Sequence, residues 1–151
     1  MARLQLALNV DDIETAITHY TRVFGIGPAK VRPGYANFAI ANPPLKLVLI
    51  ENPGVADSIN HLGVEVESVD DVRAEHDRVT QAGLPTFVEG ETTCCYAVQD
   101  KFWIEGGTHR FEVYTVLADA EQMKNTPKST AAVDDECCAP TTVTVALSPH
   151  V

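Results

Sequence analysis

The chain has 151 residues, 45% hydrophobic and 21% charged, which is typical of one globular domain and not of a disordered or fibrous protein. Eleven Lys and Arg residues stand against 21 Asp and Glu residues, and the net charge of -10 argues against nucleic acid and anionic membranes as partners. No apolar run has the length of a transmembrane helix, and the first residues do not resemble a signal peptide. We therefore expect a cytoplasmic protein with its four cysteines kept reduced.

The first half of the sequence predicts one strand, one helix and two further strands. Apolar and polar residues alternate from Leu4 to Val10, which is the period of a strand buried on one face. Asp11 is placed to cap a helix with apolar residues at helical spacing, and Gly25 is placed to end it. Residues 35–40 and 45–50 follow as strands, and this unit extends to about residue 54.

The second half repeats this order from about residue 58 to residue 118. His61 and the five residues after it read like a second copy of Gln5 and its followers, and a helix again comes next and ends at Gly83. Strands are predicted over 96–100, 101–105 and 110–116. The sequence thus predicts an α+β fold, in which two βαβββ modules form one domain over 1–118 and curl into a U-shaped open barrel. The remaining residues, 119–151, are predicted to form a flexible tail.

Three polar side chains on different predicted strands suggest a metal site. Gln5, His61 and Glu112 each lie on the face opposite an apolar stripe, and small residues follow the first two on that face. If this face lines the inside of the barrel, an amide oxygen, an imidazole and a carboxylate would meet and leave half of an octahedron open. The alternative is that His61 is hydrogen-bonded or exposed and that Glu112 faces solvent.

Two adjacent cysteine pairs, Cys94-Cys95 and Cys137-Cys138, are the second chemical feature. Thiolates suit soft cations and trivalent arsenic, whereas two thiols are too few for a closed structural zinc site. Neighbours in a regular strand point to opposite faces, so the first pair can grip one atom only where the backbone is irregular. We therefore predict a mobile loop from Gly90 to Cys95. The alternative is one buried structural cysteine beside an incidental one.

Six segments between about residue 1 and residue 119 resemble those of a known family. In chain order they are QLALNVDD, YANFAI, PPLKLVLIENPG, NHLGVEV, TTCCYAVQDKFW and EVYTVLAD. The paired βαβββ halves resemble the vicinal-oxygen-chelate superfamily, which includes glyoxalase I, extradiol dioxygenases and bleomycin-resistance proteins. With these segments, the chain more narrowly resembles the organoarsenical carbon–arsenic lyases and the related cadmium-induced proteins of mycobacteria.

The resemblance implies a non-haem Fe(II) dioxygenase that cleaves the carbon–arsenic bond of trivalent methyl- or aryl-arsenicals with dioxygen and releases arsenite. By this analogy Gln5, His61 and Glu112 hold the iron, while Cys94 and Cys95 hold the arsenic on a loop that folds over the metal. Many dioxygenases of this type have a second histidine instead of a glutamine. The amide of Gln5 therefore leaves the identity of the metal open.

Further residues have two interpretations each. Tyr96 and Val98 either shape a pocket for the carbon substituent or simply pack in a strand. Cys137 and Cys138 either capture arsenicals or heavy metals as auxiliary thiols or are incidental in the tail. The substrate class is a small trivalent organoarsenical, and a homodimer is compatible with the sequence.

Two other functions remain open at this point. The first is a non-catalytic protein that sequesters cadmium or arsenic through its thiols, which would have no use for Gln5, His61 and Glu112. The second is a glyoxalase-like enzyme acting on a thiol conjugate, which would use the metal site but leave the Cys94-Cys95 pair unexplained.

Overall fold

The computed structural model describes residues 2–124 as one sheet of eight strands with two helices. In chain order the elements are β1 (Arg3–Val10), α1 (Ile13–Phe24), β2 (Lys30–Arg32), β3 (Tyr35–Ile40), β4 (Leu45–Glu51), β5 (Ser58–Glu65), α2 (Val69–Gln81), β6 (Thr86–Cys94), β7 (Ala97–Ile104) and β8 (Phe111–Asp119). Among these described residues, no helix has the length and apolar character that crossing a membrane requires.

The strands lie in the order β2-β3-β4-β1-β5-β8-β7-β6, so each βαβββ module forms one half of the curled sheet. The two modules meet where β1 pairs antiparallel with β5. Within each module the first strand pairs in parallel with the last, β1 with β4 and β5 with β8. The predicted α+β fold of two modules in an open, barrel-like sheet is confirmed.

Each helix begins at a capped residue and packs on the same outer face of the sheet. Asp12, and not the predicted Asp11, caps α1 by accepting a hydrogen bond from the Thr15 amide at 2.7 Å. The helix ends at Gly25, which takes a left-handed φ of 69°. Ser68 caps α2 in the same way, through the amide of Asp71. The apolar faces of both helices cover the convex side, so within residues 2–124 the opposite, concave side of the sheet carries no helix.

The strands of the second module are longer and more continuous than the sequence suggested. The two strands predicted over 96–100 and 101–105 are one strand, β7. The predicted mobile loop from Gly90 to Cys95 is wrong, because residues up to Cys94 pair with β7 as part of β6. Thr92 and Thr93 favour extended backbone. Gly90, with φ of 70°, lies at a register shift in β6 and is not the start of a loop.

The first residues of the predicted tail are ordered. Strand β8 continues to Asp119, and Cys94 forms an isolated β-bridge with Lys124. The rest of that predicted tail, which includes Cys137 and Cys138, lies outside the described residues.

Candidate active site

Gln5, His61 and Glu112 converge on the concave face of the sheet. They lie on the adjacent central strands β1, β5 and β8, and at most 3% of each residue's surface is exposed. The Gln5 Nε2 atom donates to Glu112 Oε1 at 2.6 Å and lies 3.1 Å from His61 Nε2, which in turn lies 3.1 Å from Glu112 Oε1. The structure thus brings together the three side chains that the sequence predicted as a group.

This close approach requires a glycine. Gly63 on β5 pairs with Gln5 on one side and with Glu112 on the other. A Cβ atom at position 63 would lie 2.8 Å from Glu112 Cγ and 2.9 Å from the Glu112 carbonyl oxygen. Both distances are shorter than van der Waals contact, so only a residue without a side chain lets the Glu112 carboxylate cross β5 to reach Gln5.

A chain of asparagines orients His61. Asn60 Oδ1 lies 2.7 Å from His61 Nδ1, and the Asn60 Nδ2 atom donates to Asn9 Oδ1, which also accepts from Asn52. Because an amide oxygen can only accept, His61 carries its proton on Nδ1 and directs the lone pair of Nε2 toward Gln5 and Glu112. This is the tautomer that a metal-binding histidine needs.

Tyr114 and Glu65 hold the amide of Gln5. The Tyr114 hydroxyl lies within hydrogen-bonding reach of Gln5 Oε1 and of Glu65 Oε2, the latter at 3.0 Å. Lys46 Nζ, at 3.1 Å, and Arg3 pair with Glu65. Burial raises the pKa of Glu65, but the charges of Lys46 and Arg3 lower it by more, so this carboxyl is ionised.

Burial and the negative charges of Glu65 and Glu112 raise the pKa of Tyr114 well above its usual value. Tyr114 therefore keeps its proton. With one proton and two lone pairs, its hydroxyl can donate to Glu65 and still accept a hydrogen bond from a Gln5 N–H.

Lys101 pairs with the other oxygen of Glu112 and with Glu89. Lys101 Nζ lies 3.0 Å from Glu112 Oε2 and 3.4 Å from Glu89 Oε2. Burial raises the pKa of Glu112, but the charge of Lys101 and its hydrogen bond hold the pKa well below its usual value. Burial lowers the pKa of Lys101, but the charges of Glu112 and Glu89 raise it by more, so both Lys101 and Glu112 are ionised.

Cys94 and Cys95 lie at the tip of the β6–β7 hairpin. Cys94 ends β6, while Cys95 and Tyr96 form the turn with left-handed φ values of 53° and 58°. This irregular backbone overrides the strand alternation that would separate the two side chains, and their Sγ atoms lie 3.4 Å apart. Cys94 is disulfide-bonded, whereas Cys95 carries a thiol. The two sulfurs are close enough to reach one atom once Cys94 is reduced.

The turn is held against the first module by several hydrogen bonds. Lys30 Nζ donates to the Tyr96 carbonyl at 2.9 Å, and the Tyr96 hydroxyl donates to the Pro33 carbonyl at 3.1 Å. The Cys95 amide donates to the Met123 carbonyl at 2.7 Å. The turn is therefore docked by backbone and side-chain contacts, in place of the mobile loop that the sequence predicted.

Docking places the cysteine turn on an apolar cluster that adjoins His61. Cys95 and Tyr96 pack on an apolar cluster formed by Ala7, Tyr35, Val48 and Ile50. Within this cluster Ala7 is the β-sheet partner of His61. Of the two residues predicted to line a pocket, Tyr96 belongs to this cluster. Val98 is half-buried and pairs with Thr93 and Ala118.

Sequence reasoning missed Lys101, Asn60 and the role of Tyr114. The predicted break between Asp100 and Lys101 put Lys101 at the end of a strand, whereas in the structure it lies in the middle of β7, two residues before Trp103. Asn60 should point away from His61 in a regular strand, and only the register shift in the β1–β5 pairing turns both residues to one side. Asn60 and Trp103 both contact His61 and line a cavity of about 720 Å³.

Within residues 2–124, no three His, Cys, Asp or Glu side chains form a metal-binding group, so the amide of Gln5 completes the candidate set. Donors on neighbouring corners of an octahedron with bonds of ~2.1 Å lie ~3 Å apart, close to the separations found here. A metal would need Gln5 Oε1 instead of Nε2 at the centre. Rotating the Gln5 amide by 180° exchanges the two atoms and places Oε1 at the centre of the group. Nε2 then faces Tyr114 and can donate a hydrogen bond to its hydroxyl oxygen. The donor set therefore fits a divalent metal.

Comparison with known proteins points to the same family. The model of the Glyoxalase/Bleomycin resistance protein/Dioxygenase superfamily matches residues 3–112. The cadmium-induced protein CadI of Mycobacterium tuberculosis is 59% identical over 142 residues, which cover 91% of this chain and 93% of the relative. A trivalent organoarsenical cleaving enzyme of Thermomonospora curvata is 53% identical over 142 residues, covering 93% of this chain and 90% of the relative.

The fold is also found in a solved structure. The Mn(II)-bound glyoxalase of Novosphingobium aromaticivorans matches 85% of this chain and 44% of its own length, with a TM-score of 0.55 and 19% identity. Together with the two-module sheet, these matches show that the chain belongs to the Glyoxalase/Bleomycin resistance protein/Dioxygenase superfamily and is a relative of the trivalent organoarsenical cleaving enzymes.

Proposed function

We propose that this protein cleaves the carbon–arsenic bond of trivalent methyl- or aryl-arsenicals to arsenite, and that it uses non-haem Fe(II) and dioxygen. One observation carries the proposal, namely that a vicinal cysteine turn docks on the cluster of Ala7, and Ala7 is the strand partner of His61 in the buried group of Gln5, His61 and Glu112. A thiol trap would need only the turn, and a simple metal site would need only the three side chains. The combination suits an enzyme that holds arsenic beside a metal.

The two cysteines would bind the arsenic. Trivalent arsenic is soft and prefers thiolates, and the Sγ atoms of Cys94 and Cys95 are close enough to share it. Since Cys94 is disulfide-bonded, the pair becomes competent only in reduced protein, as expected in the cytoplasm. Two thiolates leave the third arsenic bond, to carbon, free to point into the concave face. The buried ring of Tyr96 would border this carbon substituent, with Val98 as a further candidate.

Gln5, His61 and Glu112 would hold the metal. Fe(II), bound by these residues, supplies the redox chemistry that activates dioxygen. The protein contributes the geometry: Asn60 fixes the tautomer of His61, and Tyr114 can hold the turned amide of Gln5. The burial of Gln5, His61 and Glu112 would exclude bulk water from the carbon–arsenic bond. It would also hold the metal at a fixed position relative to the bound arsenic. All of these groups come from one chain, so the proposal does not depend on a homodimer.

The competing function is thiol-based sequestration of cadmium or arsenic without catalysis. The 59% identity to a protein named for its induction by cadmium favours it. In that case the sulfurs of Cys94 and Cys95, with Cys137 and Cys138 as auxiliary thiols, would bind the toxic ion stoichiometrically.

The experiment that separates these functions is a turnover assay on reduced protein. Anaerobic protein is reconstituted with Fe(II) and given trivalent methylarsenical and air, and arsenic species are measured by chromatography with mass detection. We expect arsenite over many turnovers, with loss of at least ~100-fold in His61→Ala and Glu112→Ala. His19→Ala removes an exposed histidine of α1 as the matched control and should retain full activity.

Stoichiometric binding of the arsenical with its methyl group retained would reject the enzyme and support the trap. Turnover that persists in the Cys94→Ser/Cys95→Ser double variant would instead contradict the assignment of the thiols. That result would favour a glyoxalase-like reaction at the same metal.

A further inference from the structure

Lys101 is a buried cation that none of the roles above uses. Its exposed fraction is 1%, although lysine is rarely fully buried unless it is paired. Its ammonium contacts Glu112 Oε2 at 3.0 Å and Glu89 Oε2 at 3.4 Å. A buried pair of this kind contributes little net stability compared with apolar residues of similar size, so stability alone does not explain why a lysine occupies this position.

The contacts of Glu112 divide its carboxylate into two different oxygens. Oε1 faces the side chains of Gln5 and His61, at 2.6 Å and 3.1 Å. Oε2 faces away from them and accepts the hydrogen bond from Lys101. A carboxylate can bind a metal through one oxygen or through both, and here the second oxygen is already occupied by an ammonium.

The surroundings of Lys101 keep the ammonium in this place. Its Nζ atom lies 4.9 Å from the centre of the Trp103 ring, and Trp103 Nε1 donates to Glu89 at 3.2 Å. Trp103 in turn packs edge-on against His61, with ring centres 5.4 Å apart. Lys101 is therefore enclosed by an aromatic face and two carboxylates, which is a rigid arrangement next to the candidate metal position.

We propose that Lys101 is a positioning residue that restricts Glu112 to one metal-binding oxygen, so that a coordination position remains open for the reactants. This inference rests on the proposed function. A metal ligated by Gln5, His61 and a one-oxygen carboxylate has one more open position than a metal that Glu112 chelates with both oxygens. The ammonium also repels the metal dication. Lys101 therefore lowers the affinity for the metal while it keeps one coordination position open.

The test is Lys101→Met, which keeps most of the length of the side chain and removes its charge. Because Oε2 is released and the repulsion is lost, we expect Fe(II) to bind roughly tenfold more tightly, with about one additional oxygen neighbour. Anaerobic chelator competition measures the affinity, and X-ray absorption of the Fe(II) protein measures the coordination number. Turnover should fall although the metal is bound more tightly. A purely structural role would lower stability and affinity together.

Lys46→Met is the matched control, since Lys46 is also buried, lies 3.1 Å from a glutamate oxygen of Glu65 and sits 5.0 Å from the ring centre of Tyr114. It should lower stability without changing the number of ligands on the metal. Unchanged or weaker Fe(II) binding in Lys101→Met, or an unchanged coordination number, overturns the inference.

Failure of the wild-type protein to bind Fe(II) would overturn the proposed function together with the inference, and the two failures are therefore distinguishable. If the Lys101→Met apoprotein is unfolded, folding upon addition of Fe(II) supports the tighter site, because a ligand that binds only the folded state stabilises it. Absence of folding with Fe(II) contradicts the inference.

Discussion

The two modules share one backbone plan but present opposite chemistry on the concave face. Gln5 and His61 occupy equivalent places in the repeated sequence, as do Ala7 and Gly63. Ala7 pairs with Val48 on β4, whereas Gly63 pairs with Glu112 on β8. The position that carries the carboxylate in the second module therefore carries a valine in the first.

The difference extends to the neighbouring strands. Ile50 pairs with Tyr35 in the first module, where the second module pairs Tyr114 with Lys101. The first module thus forms the apolar cluster onto which the cysteine turn docks. The second module supplies most of the polar site, with His61, Glu112 and Lys101, and the first adds Gln5 from the adjoining strand β1. The duplicated scaffold supplies two equivalent concave surfaces, and the side chains decide that one is mainly apolar and the other mainly polar.

Replacing Gly63 by alanine should have the largest effect on stability and on metal binding, whereas replacing the equivalent Ala7 by glycine should have a smaller one. Gly63→Ala places a Cβ 2.9 Å from the backbone oxygen of Glu112, which cannot move without shifting β8. We expect a loss of ~2–3 kcal/mol in the free energy of unfolding, measured with denaturant, and loss of detectable Fe(II) binding. Ala7→Gly is the control in the other module and should retain the metal. Normal metal binding in Gly63→Ala would show that Glu112 does not need this approach.

The free energy of unfolding should also depend on pH, through the buried carboxylate of Glu112. The pKa of Glu112 is held far below its usual value of 4.5 in the folded protein, so its contribution to stability is present above that pH and is lost as the pH falls. We expect unfolding free energy to fall by ~1.4 kcal/mol per pH unit from this group below pH ~4.5.

Urea titrations at several pH values measure this slope. Glu112→Gln should remove that part of the slope, whereas Glu14→Gln, an exposed glutamate of α1, serves as the charge control. An equal acid slope in wild type and Glu112→Gln would contradict the assignment.

The smallest effect is expected where the turn meets the first module. Lys30 donates to the Tyr96 carbonyl and pairs with Asp119, but both charged groups are partly exposed. Lys30→Met should therefore lower the unfolding free energy by less than ~1 kcal/mol. Because the turn is less firmly docked, trivalent phenylarsenical should bind the reduced protein a few-fold more weakly, as measured by fluorescence titration. Arg22→Met on α1 is the control, and equal weakening there would argue against a local effect.

Some of the site could be predicted because strand alternation is local. Gln5, His61 and Glu112 each oppose an apolar stripe, so their common face follows from a period of two residues. Asn60 and the cysteine turn could not be predicted in this way. The position of the Asn60 side chain beside His61 depends on a register shift between β1 and β5. The turn residues Cys95 and Tyr96 have left-handed φ values, which cysteine and tyrosine rarely adopt.

The sequence by itself determined the repeated βαβββ order, the two-residue alternation of the opening strand of each module and the types of donor atom available. Only the tertiary structure decided that β5 lies between β1 and β8, which brings Gln5 within 2.6 Å of Glu112, 107 positions later in the chain. It also decided that the tip of the β6–β7 hairpin docks on the first module. Hydrophobic periods act over a few residues, whereas these contacts depend on which strands pair and on how the sheet curls, and such choices are made by the packing of the whole molecule.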